Sequence, residues 1–298
     1  MLMETKEGLR QKIASLQVIP SIPAVVLPLL HYLDKPIDQQ DVHWVAQLIG
    51  QDKSLSAQAL HMANSALFGG RQKIDSIQGA VMALGLQRMR DITVSCCMFN
   101  ILPARPGQTL DPVVFWEHSL GCALVSRRLA RKIGFVDPEK AYLSGLLHDL
   151  GVVATLWVAP EQFKQAYELA RSQEIPLHEA ERSVLGITHS ESGALLGERW
   201  GLGAEINEVL AHHHHPENAT QYQAEVAIVS LSDLLCRMCE LGYGFPESRM
   251  VQLTQESGFK VLEQHLPSIR SLDWARLTFE LDGYMDEVKR LVTAFYRG

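Results

Sequence analysis

The stretch DPEKAYLSGLLHDLG, residues 137–151, decides the fold. It carries the signals of a helix start: a capping carboxylate at Asp137, proline at the first helical position, and Glu139 near the positive end of the helix dipole. Apolar residues follow, and the adjacent pair His148 and Asp149 stands near the end of the stretch. The pattern predicts an apolar helix that ends in a histidine and an aspartate.

Helix signals recur along the rest of the chain. Thr188 and Glu191 have the spacing of a capping box. Apolar residues return at intervals of three and four, for example over residues 226–238. Residues 75–82 fit either a helix or a strand, but no stretch alternates convincingly like a strand. Glycines stand where helices are expected to end, at Gly134, Gly151, Gly186, Gly201 and Gly203. The predicted class is all-α.

Two breaks divide the predicted helices. Residues 102–107 (LPARPG) interrupt the helical periodicity with two prolines and a glycine, and residues 242–246 (GYGFP) do so again. We therefore expect an N-terminal helical subdomain at 15–101, a histidine-bearing helical subdomain at 111–240 and a C-terminal helical tail at 246–298.

Composition excludes several classes of protein. The 298 residues include 27 Lys and Arg against 34 Asp and Glu, a net charge of −7, which argues against a nucleic-acid-binding protein. With 47% apolar and 20% charged residues, the chain is neither disordered nor a membrane protein. No uninterrupted apolar run reaches the roughly 18 to 20 residues that span a bilayer. Five cysteines without an export signal indicate reduced thiols and a cytoplasmic location.

Histidine and aspartate residues are the candidates for chemistry. Neutral imidazole and carboxylate together suit divalent metals such as manganese, iron, nickel, zinc or magnesium. His189 is expected in the first turn of its helix, where the dipole disfavours protonation and leaves the imidazole available as a ligand. Asp233 lies on an apolar helix face, where a carboxylate needs a partner. The candidate metal ligands are His118, His148, Asp149, His189, His213, His214 and Asp233.

The order of these residues resembles the HD superfamily of metal-dependent phosphohydrolases. The chain is most similar to its HDOD branch, the "HD-related output domain" of bacterial signal transduction. The phrases that carry the resemblance are LHMANSA (60–66), AVMALG (80–85), FWEHS (115–119), GLLHDLG (145–151), VLGITH (184–189), ERWGL (198–202) and HHHP (213–216). The resemblance covers residues 15–240 and implies a helical bundle with an additional N-terminal helical subdomain.

The resemblance also implies roles for the candidate residues. In HD phosphodiesterases this His/Asp set holds metal ions that activate water for attack on phosphorus. A first metal would then be held by His118, His148, Asp149 and Asp233. A second would be held by His189, His213 and His214, with Asp149 as a bridge and as the catalytic residue if the chain is active. Which histidines of the run 212–215 face inward stays open at this stage.

Departures from the HD-GYP subfamily, which cleaves cyclic di-GMP, separate two hypotheses. Val152 stands where that subfamily has a lysine, ENAT (217–220) replaces its Gly-Tyr-Pro signature, and GYGFP (242–246) comes only after Asp233. The leading hypothesis is a signalling output module without efficient catalysis, which binds a protein of a two-component or cyclic-nucleotide pathway or a phosphoester ligand, and which could form a homodimer. The alternative is a metal-dependent phosphohydrolase that acts on a phosphoester or nucleotide. Neither hypothesis involves a membrane or a nucleic acid.

Overall fold

The computed structural model describes residues 6–15, 24–33, 39–69, 73–105 and 107–297. No β-strand occurs among these residues, so the predicted all-α class is confirmed. Short 3₁₀ helices lie at Pro216–Asn218, Leu253–Gln255 and Pro267–Ser271. The α-helices are α1 (Lys6–Ser15), α2 (Val26–Leu33), α3 (Val42–Gly50), α4 (Lys53–Ala63), α5 (Ile77–Leu84), α6 (Leu86–Phe99), α7 (Pro112–Ile133), α8 (Pro138–Leu147), α9 (Leu150–Val158), α10 (Pro160–Gln173), α11 (Leu177–Val184), α12 (His189–Trp200), α13 (Ala204–His212), α14 (Gln223–Met238), α15 (Ser257–His265) and α16 (Trp274–Arg297).

The chain divides into two compact units. The histidine unit comprises Met1–Gln17 and Pro106–Asp282, and the second unit comprises Val18–Arg105 and Gly283–Gly298. The division of the sequence into 15–101, 111–240 and 246–298 stays a prediction. Parts of its first segment, residues 16–23, 34–38 and 70–72, lie outside the described residues, as does Pro106 in the predicted break.

The helix caps that the sequence predicts are formed in the structure. The Asp137 carboxylate accepts a hydrogen bond from the Lys140 backbone N–H at 3.1 Å and starts α8. Thr188 and Glu191 form the reciprocal capping box at the start of α12. The ambiguous stretch 75–82 is helical, because Ser76 caps α5 by accepting from the Gly79 N–H at 3.1 Å.

Gly151 does not end a helix, contrary to the expectation from its position after the His-Asp pair. It lies in the first turn of α9, facing α12. A Cβ built on Gly151 would lie 1.8 Å from the His189 carbonyl oxygen and 2.5 Å from the Gly193 nitrogen. The glycine is therefore required by a close helix–helix approach, which brings the start of α12 next to the start of α9.

The core of the histidine unit surrounds α8 and α9. Helix α8 packs along α7, and α14 packs against both. Among the described residues, one helical stretch, Pro138–Val158, is long and apolar enough to be tested as a membrane span, with a mean hydropathy of 1.3. Because 83% of that window is buried inside the protein, it has the character of a core helix.

The second unit has its own core, built by α2 to α6 and the end of α16. Helix α6 is buried along most of its length. Phe295 packs edge-on against Phe99 with ring centroids 5.0 Å apart. The Tyr296 hydroxyl lies 2.6 Å from the Phe99 carbonyl oxygen and 2.9 Å from that of Leu102, so α16 is tied to the end of α6. None of the candidate ligands lies in this unit.

Candidate metal centre

Six helices bring the predicted site residues into one buried cluster. Most of them stand at helix ends, where the side chain can turn away from the helix axis. His118 projects from α7 and Asp233 from α14, while His148 occupies the C-cap position of α8 and Asp149 the N-cap position of α9. His189 is the first residue of α12, and His213 and His214 follow α13. Six of the seven residues are buried, and the His214 side chain is 10% exposed.

The first group of side chains consists of His118, His148, Asp149 and Asp233. The Nε2 atoms of His118 and His148 face each other at 3.3 Å. The Asp149 Oδ2 lies 3.4 Å from the former and 3.1 Å from the latter, and the Asp233 Oδ1 lies 3.3 Å from the His118 Nε2. Two imidazoles and two carboxylates therefore converge on one point.

Backbone carbonyls fix the orientation of both imidazoles. The His118 Nδ1 lies 2.7 Å from the Leu241 oxygen, and the His148 Nδ1 lies 2.8 Å from the Gly145 oxygen. A carbonyl only accepts, so each Nδ1 carries its proton and, in a neutral ring, leaves a lone pair on Nε2. Lone pairs that face each other and a carboxylate repel unless a proton or a cation lies between them. This donor set therefore fits a metal ion.

The second group consists of His189, His213 and His214. The His189 Nε2 lies 2.8 Å from the His214 Nε2 and 3.4 Å from the His213 Nε2. The His213 Nδ1 donates to the Val209 carbonyl oxygen at 3.1 Å, which turns its Nε2 inward. One ligand atom from each of the three rings lies within 4.8 Å of the others, as do those of His118, His148 and Asp233.

Asp149 connects the two groups through its two oxygens. Its Oδ2 faces His118 and His148, while its Oδ1 lies 3.3 Å from the His189 Nε2 and 3.5 Å from the His213 Nε2. The Oδ1 is buried and receives no hydrogen bond. A buried carboxylate oxygen without a donor is costly, and a cation bound beside it would remove that cost.

The electrostatics of the first group favour bound positive charge. Burial alone would lower the pKa of His118, but Asp149 and Asp233 raise that pKa to about 10. Burial would raise the pKa of Asp149, but His148 and His118 hold it well below its usual range. Two buried carboxylates thus attract a proton onto His118 when no other cation is present.

The pKa of His189 differs from the expectation that the sequence gives. Its place in the first helical turn predicts a lowered pKa, and burial acts in the same direction, yet the pKa is raised to about 9. The cause is Glu181, whose Oε2 lies 2.7 Å from both the His189 Nδ1 and the His189 backbone nitrogen. A direct ionic hydrogen bond outweighs the partial charge of a helix end.

Three imidazoles near His189, those of His213, His214 and His178, are held neutral. Burial lowers the pKa of His213 and takes that of His214 well below its usual range. His178, from α11, stacks on His214 with ring centroids 4.0 Å apart, and burial and the charge on His189 lower its pKa to about 3. Neutral imidazole is the form that binds metal, so this side of the cluster is ready to act as a donor.

The histidine run at 212–215 divides between the cluster and a cavity. His213 and His214 turn inward, whereas His215 is exposed and lies beside Glu217 at 3.3 Å. A cavity of about 370 Å³ opens onto the cluster through His213, His214 and Asp233. It is wide enough to admit a small-molecule ligand or a peptide side chain.

Sequence reasoning missed the side chains that surround the ligands. Glu181 holds His189, the Arg237 Nη2 donates to the Asp233 Oδ2 at 2.8 Å, and the Tyr243 hydroxyl donates to the Asp149 Oδ2. Glu181 lies four residues after Leu177 on the buried face of α11, and this spacing is the one feature of the sequence that indicates its burial. Tyr243 belongs to the GYGFP stretch, whose position after Asp233 gives no signal of a role at the site.

Comparisons with known proteins agree with this architecture. The HDOD domain family model matches residues 19–216. The crystal structure of an HDOD domain protein with unknown function from Geobacter sulfurreducens is 29% identical, with a TM-score of 0.80 over 97% of this chain and 98% of that one. A structure from Shewanella amazonensis SB2B named "Putative phosphohydrolase" is 22% identical, covers 97% of both chains with a TM-score of 0.72, and shows the fold alone.

A curated relative is longer than this chain. An uncharacterized protein of Treponema pallidum (strain Nichols) is 26% identical over 227 residues, which cover 74% of this chain and 43% of the relative. The chain thus matches less than half of that relative's length.

Proposed function

Because this chain belongs to the HDOD family, we propose that it is a cytoplasmic bacterial signal-transduction module that binds divalent metal and works by binding a partner or ligand. The metal would lie in the His/Asp cluster, in a first position at His118, His148, Asp149 and Asp233. A second position would lie at His189, His213 and His214. The partner would be a protein of a two-component or cyclic-nucleotide pathway.

The arrangement of Asp149 is the observation that carries the metal assignment. Its two oxygens face two separate groups of imidazole nitrogens, and the Oδ1 has no hydrogen-bond donor. Bound metals would supply concentrated positive charge at this point. The imidazoles are oriented for that charge: the backbone carbonyls of Leu241 and Gly145 orient those of the first position, and the Glu181 carboxylate orients His189 of the second.

The charges in the adjoining cavity support binding rather than efficient phosphoryl transfer. Its two arginines are already neutralised, Arg237 by Asp233 at 2.8 Å and Glu247 at 2.9 Å, and Arg249 by Glu256. Among the described residues that line the cavity, a phosphate would therefore meet no uncompensated arginine. Electrostatic stabilisation of developing charge is usually the largest contribution to such catalysis.

A second candidate function is a metal-dependent phosphohydrolase that acts on a phosphoester or nucleotide. The completeness of the donor set favours it, because the histidines and aspartates that the HD resemblance implies all lie in one cluster beside a cavity. The two candidates differ in one measurable property, which is turnover that depends on metal.

The test combines metal content with turnover in protein that carries no affinity tag. Metal is measured by inductively coupled plasma mass spectrometry after dialysis against Mn²⁺, and turnover is measured on bis(p-nitrophenyl) phosphate with and without Mn²⁺. The site variant is the double substitution His148→Ala and Asp149→Ala. His215→Ala is the matched control, since it removes an exposed imidazole of the same histidine run.

We expect about two metals per chain in the wild-type protein and in His215→Ala, as in dinuclear sites of this ligand type. The double variant should lose them, and all three proteins should show the same background turnover. Turnover that requires Mn²⁺ and disappears in the double variant would replace the leading proposal by the phosphohydrolase. A wild-type protein that takes up no metal would overturn the metal assignment itself.

A further inference from the structure

The segment 237–247, which joins the last turn of α14 to the following loop, contacts three of the four side chains of the first metal position. The Leu241 carbonyl accepts from the His118 Nδ1 at 2.7 Å, the Tyr243 hydroxyl donates to Asp149, and Arg237 pairs with Asp233 at 2.8 Å. This segment lies beyond residue 216, where the match to the HDOD family model ends. Its contacts are therefore a feature of this chain that the family match does not describe.

Tyr243 is placed to control the rotation of the Asp149 carboxylate. Its side chain is buried, with 5% of the residue exposed, and its ring lies 5.4 Å from that of His118. The hydroxyl donates to the Oδ2, the oxygen that faces His118 and His148. Because the two oxygens of a carboxylate turn together, this bond also directs the Oδ1 toward His189 and His213.

Among the described residues, Tyr243 is the one hydrogen-bond donor to Asp149 that lies outside the imidazoles of the cluster. It stands at the N-cap position of α9, but its side chain does not accept from the backbone of that helix. The Oδ1 receives no hydrogen bond, and the other groups near the carboxylate are the imidazole nitrogens of the cluster. Without the tyrosine hydroxyl, the carboxylate could rotate about its terminal torsion, which is broad for aspartate.

We propose that Tyr243 is a positioning residue for metal binding: its hydroxyl holds the Asp149 carboxylate with one oxygen directed at each metal position. The inference rests on the proposed metal site and adds a group from outside its ligand set. Hydrogen-bonding partners behind metal ligands set their orientation, and their loss typically weakens metal affinity by about 10- to 100-fold. Tyr243→Phe removes the hydroxyl and keeps the buried ring, so it isolates this effect.

Tyr167 provides a matched control. Its hydroxyl donates to the Tyr243 carbonyl oxygen at 2.8 Å and therefore anchors the same loop without reaching Asp149. Tyr167→Phe removes one hydroxyl, as Tyr243→Phe does, and weakens the placement of the loop. A comparison of the two variants separates the effect of the Asp149 hydrogen bond from a general loosening of the 237–247 segment.

The experiment measures the dissociation constant for Mn²⁺ by equilibrium dialysis of the full chain. Each variant is prepared in the wild-type chain and in a His189→Ala background, which removes a ligand of the second position and reports the first position alone. We expect Tyr243→Phe to weaken Mn²⁺ binding by about 10- to 100-fold in both backgrounds. Tyr167→Phe should change it by less than about threefold, since it leaves the ligand set and its hydrogen bonds intact.

Three results would overturn the inference while leaving the metal site in place. These are equal Mn²⁺ affinity in Tyr243→Phe and wild type, an equal loss in Tyr167→Phe, and tighter binding in Tyr243→Phe, which would make the hydroxyl a competitor of the metal. If the wild-type chain itself binds no Mn²⁺, the proposed metal site fails and the inference fails with it. Circular dichroism of each variant verifies that a loss of affinity does not reflect unfolding.

Discussion

Gly151→Ala should separate α9 from α12 and damage the candidate metal centre without changing any of its side chains. The added Cβ would lie 1.8 Å from the His189 carbonyl oxygen and 2.5 Å from the Gly193 nitrogen. Real Cβ contacts essentially never fall below 3.0 Å, so the two backbones must move apart by about 1.2 Å, the difference between 3.0 and 1.8. Both atoms belong to helix backbone, which cannot yield as a flexible side chain does.

The expected cost follows from that displacement. Overpacking a well-packed interior costs about 1–3 kcal/mol, and a backbone clash of this depth belongs at the upper end of the range. The shift also moves His189, the first residue of α12, away from Asp149, which precedes α9 by one residue. We expect a loss of about 3 kcal/mol in the free energy of unfolding and a weakening of Mn²⁺ binding of at least about tenfold.

Urea unfolding and Mn²⁺ dialysis measure the two effects. Gly283→Ala is the control, because Gly283 lies inside α16 and a Cβ there would meet nothing within 4 Å. Replacing a helical glycine by alanine should stabilise the protein by about 0.5–1 kcal/mol and leave Mn²⁺ binding unchanged. If Gly151→Ala unfolds within about 0.5 kcal/mol of the wild type and binds Mn²⁺ equally well, the close approach of α9 and α12 is not what positions the site.

Three further predictions concern titration and reactivity elsewhere in the chain. Burial raises the pKa of Glu225 to about 7 despite the hydrogen bond from Ser144, so its ionisation should destabilise the wild-type protein as pH rises from about 4.5 to 7. Glu225→Gln should therefore be more stable than wild type at pH 8, by about 1–3 kcal/mol in urea unfolding, and parallel stability profiles at pH 5 and pH 8 would contradict this. The pKa of Glu208 is lowered to about 2, although burial opposes this, because the Thr220 side chain and the backbone N–H groups of 220–222 donate to its carboxylate. Its stabilisation is present above about pH 4.5 and is lost as pH falls toward 2. Because the carboxylate is only partly buried and is screened by solvent, Glu208→Ala should cost about 1 kcal/mol at pH 7 and progressively less in acid; a constant difference would refute the assignment. Cys239 is the one partly exposed cysteine, and one thiol per native chain should react quickly with Ellman's reagent, whereas two or more fast thiols would show that the buried cysteines are accessible.

The fold class was predictable because its signals are local. Asp137 and the Thr188–Glu191 pair form their caps within three residues of chain, so their sequence pattern already contains the interaction. Gly151 was misassigned for the opposite reason. A glycine is required at this position because of the contact with α12, which lies some forty residues away along the chain. A glycine near a helix end more often marks the end of that helix than a close contact with another helix.

The candidate site was predictable in its residues and less so in its chemistry. Histidine and aspartate are unusual on apolar helix faces, so the sequence marks them, while their role as ligands stays a prediction. The pKa of His189 could not be predicted from the dipole of its own helix, because a residue of another helix sets it. Glu181, on the preceding helix, lies 2.7 Å from the ring and reverses the shift.

At Asp149 the local and the tertiary preferences conflict, because its side chain contacts residues of other helices instead of capping α9. An aspartate before a helix ordinarily caps it, and replacing such a cap costs about 0.5–2 kcal/mol. Asp149 precedes α9 but makes no capping hydrogen bond, and its oxygens face four imidazoles and the Tyr243 hydroxyl instead. A residue that breaks a local rule inside a well-packed core is typical of a functional position, since local and tertiary preferences otherwise agree. The exchange of a helix cap for contacts with four imidazoles therefore supports the proposed cation site at Asp149.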